Sequence, residues 1–214
     1  VYRVAKTSGL FSPSFPDYPK LSVWGNAYYV TTNSSGPIIW ALNRSQMLAG
    51  AASVSTQRFK LQDFPGGGVQ STSPVTITGN AAPPANSRAV VMRVFDDAWS
   101  SAADVDVLEL YGLSIDWSNS LNSTILGPLR LNIAAYDSRL CSNDLNASSC
   151  VPQPGVTRKL DAMGGLILDK AQYYNFGTYE SIVCTHMSDA RGDGVAGMRW
   201  YELRRTGNSN WSIF

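Results

Sequence analysis

The chain is predicted to fold as an all-β domain, and three observations carry that prediction. Apolar residues gather in short runs of about four to eight, the length of strands and not of helices. Gly, Pro, Asn or Ser stands between almost every pair of runs. Charged residues make up only 15% of the 214, against about 25% in an average globular domain, while 44% hydrophobic content is enough to cover a sizeable core.

Taken in order, Leu21 to Trp24 and Ala27 to Thr32 flank Gly25-Asn26, a two-residue hairpin turn in which glycine supplies a positive φ. Pro37 to Leu42 add a third strand. Asn43-Arg44-Ser45-Gln46 has the form of a capping box, Met47-Leu48-Ala49 extends it, and Gly50 ends it in the left-handed conformation. Strands then follow at Gln57 to Leu61, Val75 to Thr78, Ala89 to Phe95, the alternating Val105 to Tyr111, Ser114 to Trp117 and Leu129 to Ile133. Leu166 to Leu168, Glu180 to Met187, Ala196 to Leu203 and Trp211 to Phe214 complete the set. Phe11 to Pro19, Pro65 to Pro74 and Ala81 to Ser87, rich in Pro, Gly and Ser, read as ordered connectors.

Many short strands with turns between them fit a sandwich, a barrel or a propeller. Lys20-Leu21 before Gly25-Asn26 and Lys159-Leu160 before Gly164-Gly165 are matched segments, each leading to a Tyr-Tyr pair. Their offset of about 139 residues divides into three units of roughly 46, the length of a propeller blade. Lys60-Leu61 before Gly66-Gly67 reads as a degraded copy. The expected fold is therefore β-propeller-like, an incomplete ring of about four blades over residues 1–214 and part of a larger domain, with a non-repetitive β-sandwich as the alternative.

Several segments also carry a resemblance. Asp17 to Tyr29, Asn43 to Gly50, Cys150 to Gly155 and Gly197 to Arg204 together resemble a family of large secreted bacterial proteins with a propeller-like repeat domain and no firmly assigned activity. The resemblance runs through nearly the whole chain and implies a fold more than a function. It implies further blades after Trp200-Tyr201-Glu202-Leu203-Arg204, and a Gly-Asp-His-Glu sequence where this chain has Gly177-Thr178-Tyr179-Glu180. An open arc leaves unpaired edges, so missing blades or a further chain are expected to close the ring, with self-assembly as the alternative.

Cys141 and Cys150 bracket a polar loop and read as a disulfide worth roughly 2 to 3 kcal/mol on the chain-entropy view, two reduced thiols being the alternative. Cys184 lies in an apolar run and reads as a small buried hydrophobe. Asn33, Asn43, Asn122, Asn146 and Asn210 open N-x-[ST] sequons, candidate glycosylation sites in a eukaryotic secretory pathway. Val1 in place of an initiator Met reads as a processed start, which fits export. The expected location is extracytoplasmic, secreted or at the cell surface. A net charge of +1 without a basic run makes nucleic acid an unlikely ligand, and no stretch reaches the roughly 20 apolar residues of a membrane span.

For chemistry, His186 is the sole imidazole, with Glu180, Ser188 and Asp189 near it in sequence. Strand alternation sets Glu180 and His186 on one face, but a packed structural histidine is the plainer reading, and no Gly-x-Ser-x-Gly elbow occurs. Asp96-Asp97 is the most conspicuous carboxylate pair, and turn-forming carboxylates at a strand end are the favoured reading of it. Asp189 to Gly194 lacks the ligand pattern of a strong calcium loop, and its Arg191-Gly192-Asp193 reads as a turn or an adhesion tripeptide. No metal or cofactor is expected. Trp24, Tyr28, Tyr29, Trp40, Trp99, Trp117, Trp200 and Tyr201 are assigned to packing before sugar stacking. The expected function is an extracellular binding or structural module presenting loops to protein or carbohydrate, in a cell-surface assembly. The alternative is a polysaccharide hydrolase or lyase using channel carboxylates.

Overall fold

Strand follows strand through the computed structural model, which describes residues 16–33, 36–64, 71–99, 105–140, 149–189 and 191–214. The all-β prediction holds. A first antiparallel meander runs β1 (Asp17–Trp24), β2 (Ala27–Asn33), β3 (Pro37–Asn43) and β4 (Thr56–Lys60), neighbour beside neighbour. Gly25 takes φ +54° in the predicted turn, and Trp24 faces Ala27 across it. The short helix α1 (Arg44–Leu48) follows β3, capped by Asn43, whose Oδ1 accepts the Gln46 N–H at 3.1 Å. Gly50 ends it at φ +66°, as its sequence required.

A second meander runs β5 (Ser73–Ile77), β6 (Ala89–Phe95), β7 (Val107–Ser114) and β8 (Thr124–Asn132). After the small ribbon of β9 (Ser149–Val151) and β10 (Leu160–Asp161), a third runs β11 (Ala171–Asn175), β12 (Glu180–Ser188), β13 (Gly197–Arg205) and β14 (Ser212–Ile213). β11 pairs with β5 in parallel, Ala171 opposite Val75. The second and third meanders thereby form one eight-stranded sheet, curved into a nearly closed barrel. Across the gap, Arg199 on β13 donates to the Ala134 and Ala135 carbonyls beyond β8, at 2.5 and 3.1 Å.

The first strands of the three meanders gather together. β1 lies against β5, and the Trp24 ring meets Tyr173 of β11 edge-on at 4.7 Å. Lys20 of β1 donates from Nζ to the Ile167 and Asp169 carbonyls at 2.8 and 2.5 Å. One continuous core results, with Tyr29 and Ile39 from the first meander, Val91 and Leu110 from the second, and Ile182 and Leu203 from the third. Each such side chain, fully buried, contributes about 1.5 to 3 kcal/mol.

Burial explains the two sequence textures. Every residue of β6 is buried, and its Ala-Val-Val-Met run is the pattern of a strand covered on both faces. Arg93 fits there because Glu109, its cross-strand partner, takes its Nε at 2.8 Å, and its guanidinium lies over the Phe64 ring at 3.7 Å. β11 alternates instead, buried and exposed.

Several expectations are corrected. Leu166 to Leu168 is no strand but a single bridge, Ile167 to His186. Asp17 to Pro19 and Ser73-Pro74 are strand and not connector. Pro74 is tolerated because it pairs only with Val91, and β11 pairing begins at Val75. The matched Lys-Leu segments are not equivalent: Leu21 sits in a first strand, whereas Leu160 belongs to the β9–β10 ribbon. Short identities of this kind recur without common structure.

Candidate functional site

Glu180 and His186 do lie on the same face of β12, as alternation requires, but six residues separate them by about 20 Å. His186 is wholly buried. Its Nδ1 is 2.8 Å from the Met187 carbonyl and its Nε2 is 3.1 Å from Tyr201 Oη. Its ring stacks on Tyr201 and tilts against Tyr136, with centroids 4.6 Å apart for the latter. Burial depresses its pKa to about 4, so both nitrogens serve packing and the ring is neutral at pH 7.

Glu180 is also buried and fully engaged. Tyr173 Oη donates to its Oε1 at 2.6 Å, and Arg205 donates Nε to Oε2 at 2.6 Å and Nη2 to Oε1 at 2.8 Å. Burial, reinforced by this carboxylate, raises the Tyr173 phenol well above its ordinary range. The arrangement ties β11, β12 and β13 together at one end of the sheet.

At the other end, ligand oxygens of Asp96, Asp97 and Asp106 lie within 4.8 Å of one another. Such donors are of the type a hard cation takes, yet here Asp96 and Asp106 bind the chain. Asp96 accepts Ala98 N–H at 2.8 Å through Oδ1 and the N–H and hydroxyl of Ser138, both at 2.7 Å, through Oδ2. Asp106 accepts Asp97 N–H at 2.9 Å and Tyr136 N–H at 2.7 Å. Burial, with its acidic neighbours, raises the Asp106 pKa. The cluster staples the one-turn 3-10 helix Asp97–Trp99 to residues 136–138, the turn-forming reading of Asp96-Asp97.

The outer face of the third meander is different. Cross-strand register aligns Tyr174, Ser181, Arg204 and Ser212 in one row and Gln172, Val183 and Glu202 in the next. Trp200, opposite Thr185, is 66% exposed. Tyr174, Phe176 and Tyr179 form a column, with centroids 4.6 Å and then 4.7 Å apart. The Arg204 guanidinium continues it, 4.6 Å from the Tyr179 centroid and 3.2 Å from that of Phe214. Glu202 fixes Arg204 by bonds of 2.6 and 3.0 Å to Nε and Nη2, and Ser181 Oγ donates to Glu202 at 2.9 Å. Gln172, Tyr174, Phe176, Tyr179, Glu202 and Arg204 line a groove here. A charged pair at adjacent outward positions of one strand, flanked by rings, was a signal present in Trp200 to Arg204 and passed over.

Among the aromatic residues assigned to packing, Trp24, Tyr29, Trp40 and Tyr201 are buried, and Trp200 departs from the rule. The Arg191-Gly192-Asp193 tripeptide is an exposed turn, with Arg191 Nη2 3.1 Å from Asp193. Asn122 and Asn210 are exposed and Asn33 is half-buried. Asn43 is buried, and its Oδ1 accepts the Gln46 N–H at the helix cap. Asn146 and the Cys141 half of the expected disulfide lie outside the described residues. Cys184 is buried and free, and burial pushes its thiol pKa up to about 12. No helix among the described residues is long and apolar enough to cross a membrane. No protein-family model, curated protein or solved structure matches the chain.

Proposed function

We propose that this chain is an extracellular binding or structural module of propeller-like architecture. The observation that carries the reading is a contrast. Glu180, His186 and Asp96, the groups best suited to acid and base work, are buried and bonded within the fold, while the outer face of β11–β14 holds an ordered array of exposed rings and paired charges. Catalytic groups must reach a substrate, whereas recognition needs a shaped and rigid surface. Three four-stranded antiparallel meanders with gathered first strands support the propeller-like description. The exposed sequons at Asn122 and Asn210 fit an extracytoplasmic location.

The test is to assay the purified chain for both binding and turnover on a panel of polysaccharides and extracellular matrix proteins. Saturable binding of at least one panel member with no release of reducing ends supports the module. Release of reducing ends in proportion to the protein added overturns it in favour of a hydrolase.

A further inference from the structure

We infer that the outer face of β11–β14 binds a neutral polysaccharide, an inference that rests on the reading of this chain as an extracellular binding module. A pyranose ring offers two faces of C–H bonds and a rim of hydroxyls. It is recognised by aromatic faces open to solvent with hydrogen-bonding groups beside them. Trp200, 66% exposed, supplies an open ring, and Tyr174 and Phe176 stand half-exposed along the groove. Glu202 accepts hydrogen bonds, Arg204 donates them, and Gln172 and Thr185 do both. These residues share the face by cross-strand register, and Trp200 and Arg204 stand about 13 Å apart along β13, a span longer than one sugar ring.

Rigidity and charge narrow the ligand. Arg204 is wedged between the Tyr179 and Phe214 rings and held by Glu202, itself held by Ser181, so binding freezes few rotamers. Glu202 and Arg204 neutralise each other in the groove, and Arg191, beside Trp200, is paired with Asp193. Tyr174 is fixed as well: a Cβ on Gly79 would lie 2.4 Å from its Cε2, so the ring rests directly on that glycine.

The competing occupant is another β-sheet closing the expected ring. Inside the molecule, covered sheet faces are built from residues such as Ile39, Val91, Leu110, Ile182 and Leu203. Here polar side chains separate the apolar ones, and a stacked sheet would desolvate Gln172, Glu202 and Arg204 together, at a cost only close partners could offset. A hydrated ligand with hydroxyls fits this composition better.

The chain should be tested by affinity electrophoresis and calorimetry with xyloglucan, mixed-linkage β-glucan and galactomannan, by pull-down on cellulose and chitin, and with alginate as an anionic contrast. At least one neutral polysaccharide is expected to bind, with affinity falling about tenfold or more in Trp200→Ala and in Phe176→Ala. Trp200→Phe is expected to retain most of it, and Leu121→Ala, on the exposed 3-10 helix Ser120–Asn122 between β7 and β8, all of it. Both alanine changes are at exposed positions, and circular dichroism checks that they fold. Binding unchanged by either variant overturns the assignment to this face but leaves a binding module. So does absence of binding to every neutral polysaccharide, or a dimer by light scattering that Trp200→Glu dissociates, which would mark the face as a protein interface. Release of reducing ends would instead defeat the module reading itself.

Discussion

Arg205 grips Glu180 through two parallel bonds, Nε to Oε2 at 2.6 Å and Nη2 to Oε1 at 2.8 Å. The guanidinium also lies over the Trp211 ring at 4.6 Å. Removing one partner of a buried pair leaves the other charge without compensation, at a cost of about 3 to 5 kcal/mol. Glu180→Gln is therefore expected to lower stability by about 3 kcal/mol in urea unfolding. Glu180→Met combined with Arg205→Met is expected to recover most of that loss. Equal losses in the single and double variants would contradict a role as a paired staple.

Buried neutral His186 makes stability depend on acid. In the unfolded chain it titrates near its ordinary pKa of about 6.5, and in the fold at about 4. Between these values the unfolded state binds more protons, so stability is full above about pH 6.5 and falls as pH drops toward 4, by about 3 kcal/mol in all. His186→Gln is expected to flatten that slope while lowering stability at pH 7. Urea midpoints at pH 7, 5.5 and 4 read the difference, and parallel slopes in the two proteins would count against it.

Lys20 joins the first meander to the third through the Ile167 and Asp169 carbonyls. Burial lowers its pKa, opposed by the Asp169 charge. Lys20→Met keeps the aliphatic stem and removes the donors, with an expected loss of about 1 to 3 kcal/mol. Hydrogen exchange is expected to quicken across residues 166–170. Unchanged exchange there would show that other contacts hold the segment.

Gly79, at φ +80°, supports the Tyr174 ring. Gly79→Ala is expected to cost about 1 to 3 kcal/mol, combining left-handed strain with displacement of the ring. Near-ultraviolet circular dichroism should report the shift of Tyr174, while the far-ultraviolet spectrum stays that of a β protein. A variant as stable as the parent, with an unaltered aromatic spectrum, would mean that the ring relaxes freely.

Local features were legible because local physics dictates them. Gly25-Asn26 could only turn, Asn43 with Gln46 could only cap, and the unbroken apolar run of β6 asked for cover on both faces. The plain readings of His186 and Asp96 were likewise available, since an imidazole in an apolar strand and a carboxylate at a strand end are most often spent on packing and turns. The β9–β10 ribbon was not legible, because Leu160-Asp161 shows neither length nor alternation.

The sequence by itself determined that this is an all-β chain and roughly where most of its longer strands lie, because these depend on side-chain period and turn chemistry within a few residues. Only the tertiary structure decided that β11 joins β5 in parallel, that Lys20 reaches across to residues 167–169, and that Tyr174, Tyr179, Arg204 and Phe214 meet in one column. Those relations bring together residues far apart in the chain. Their register is set by how three curved meanders share one core, a constraint that no local pattern records.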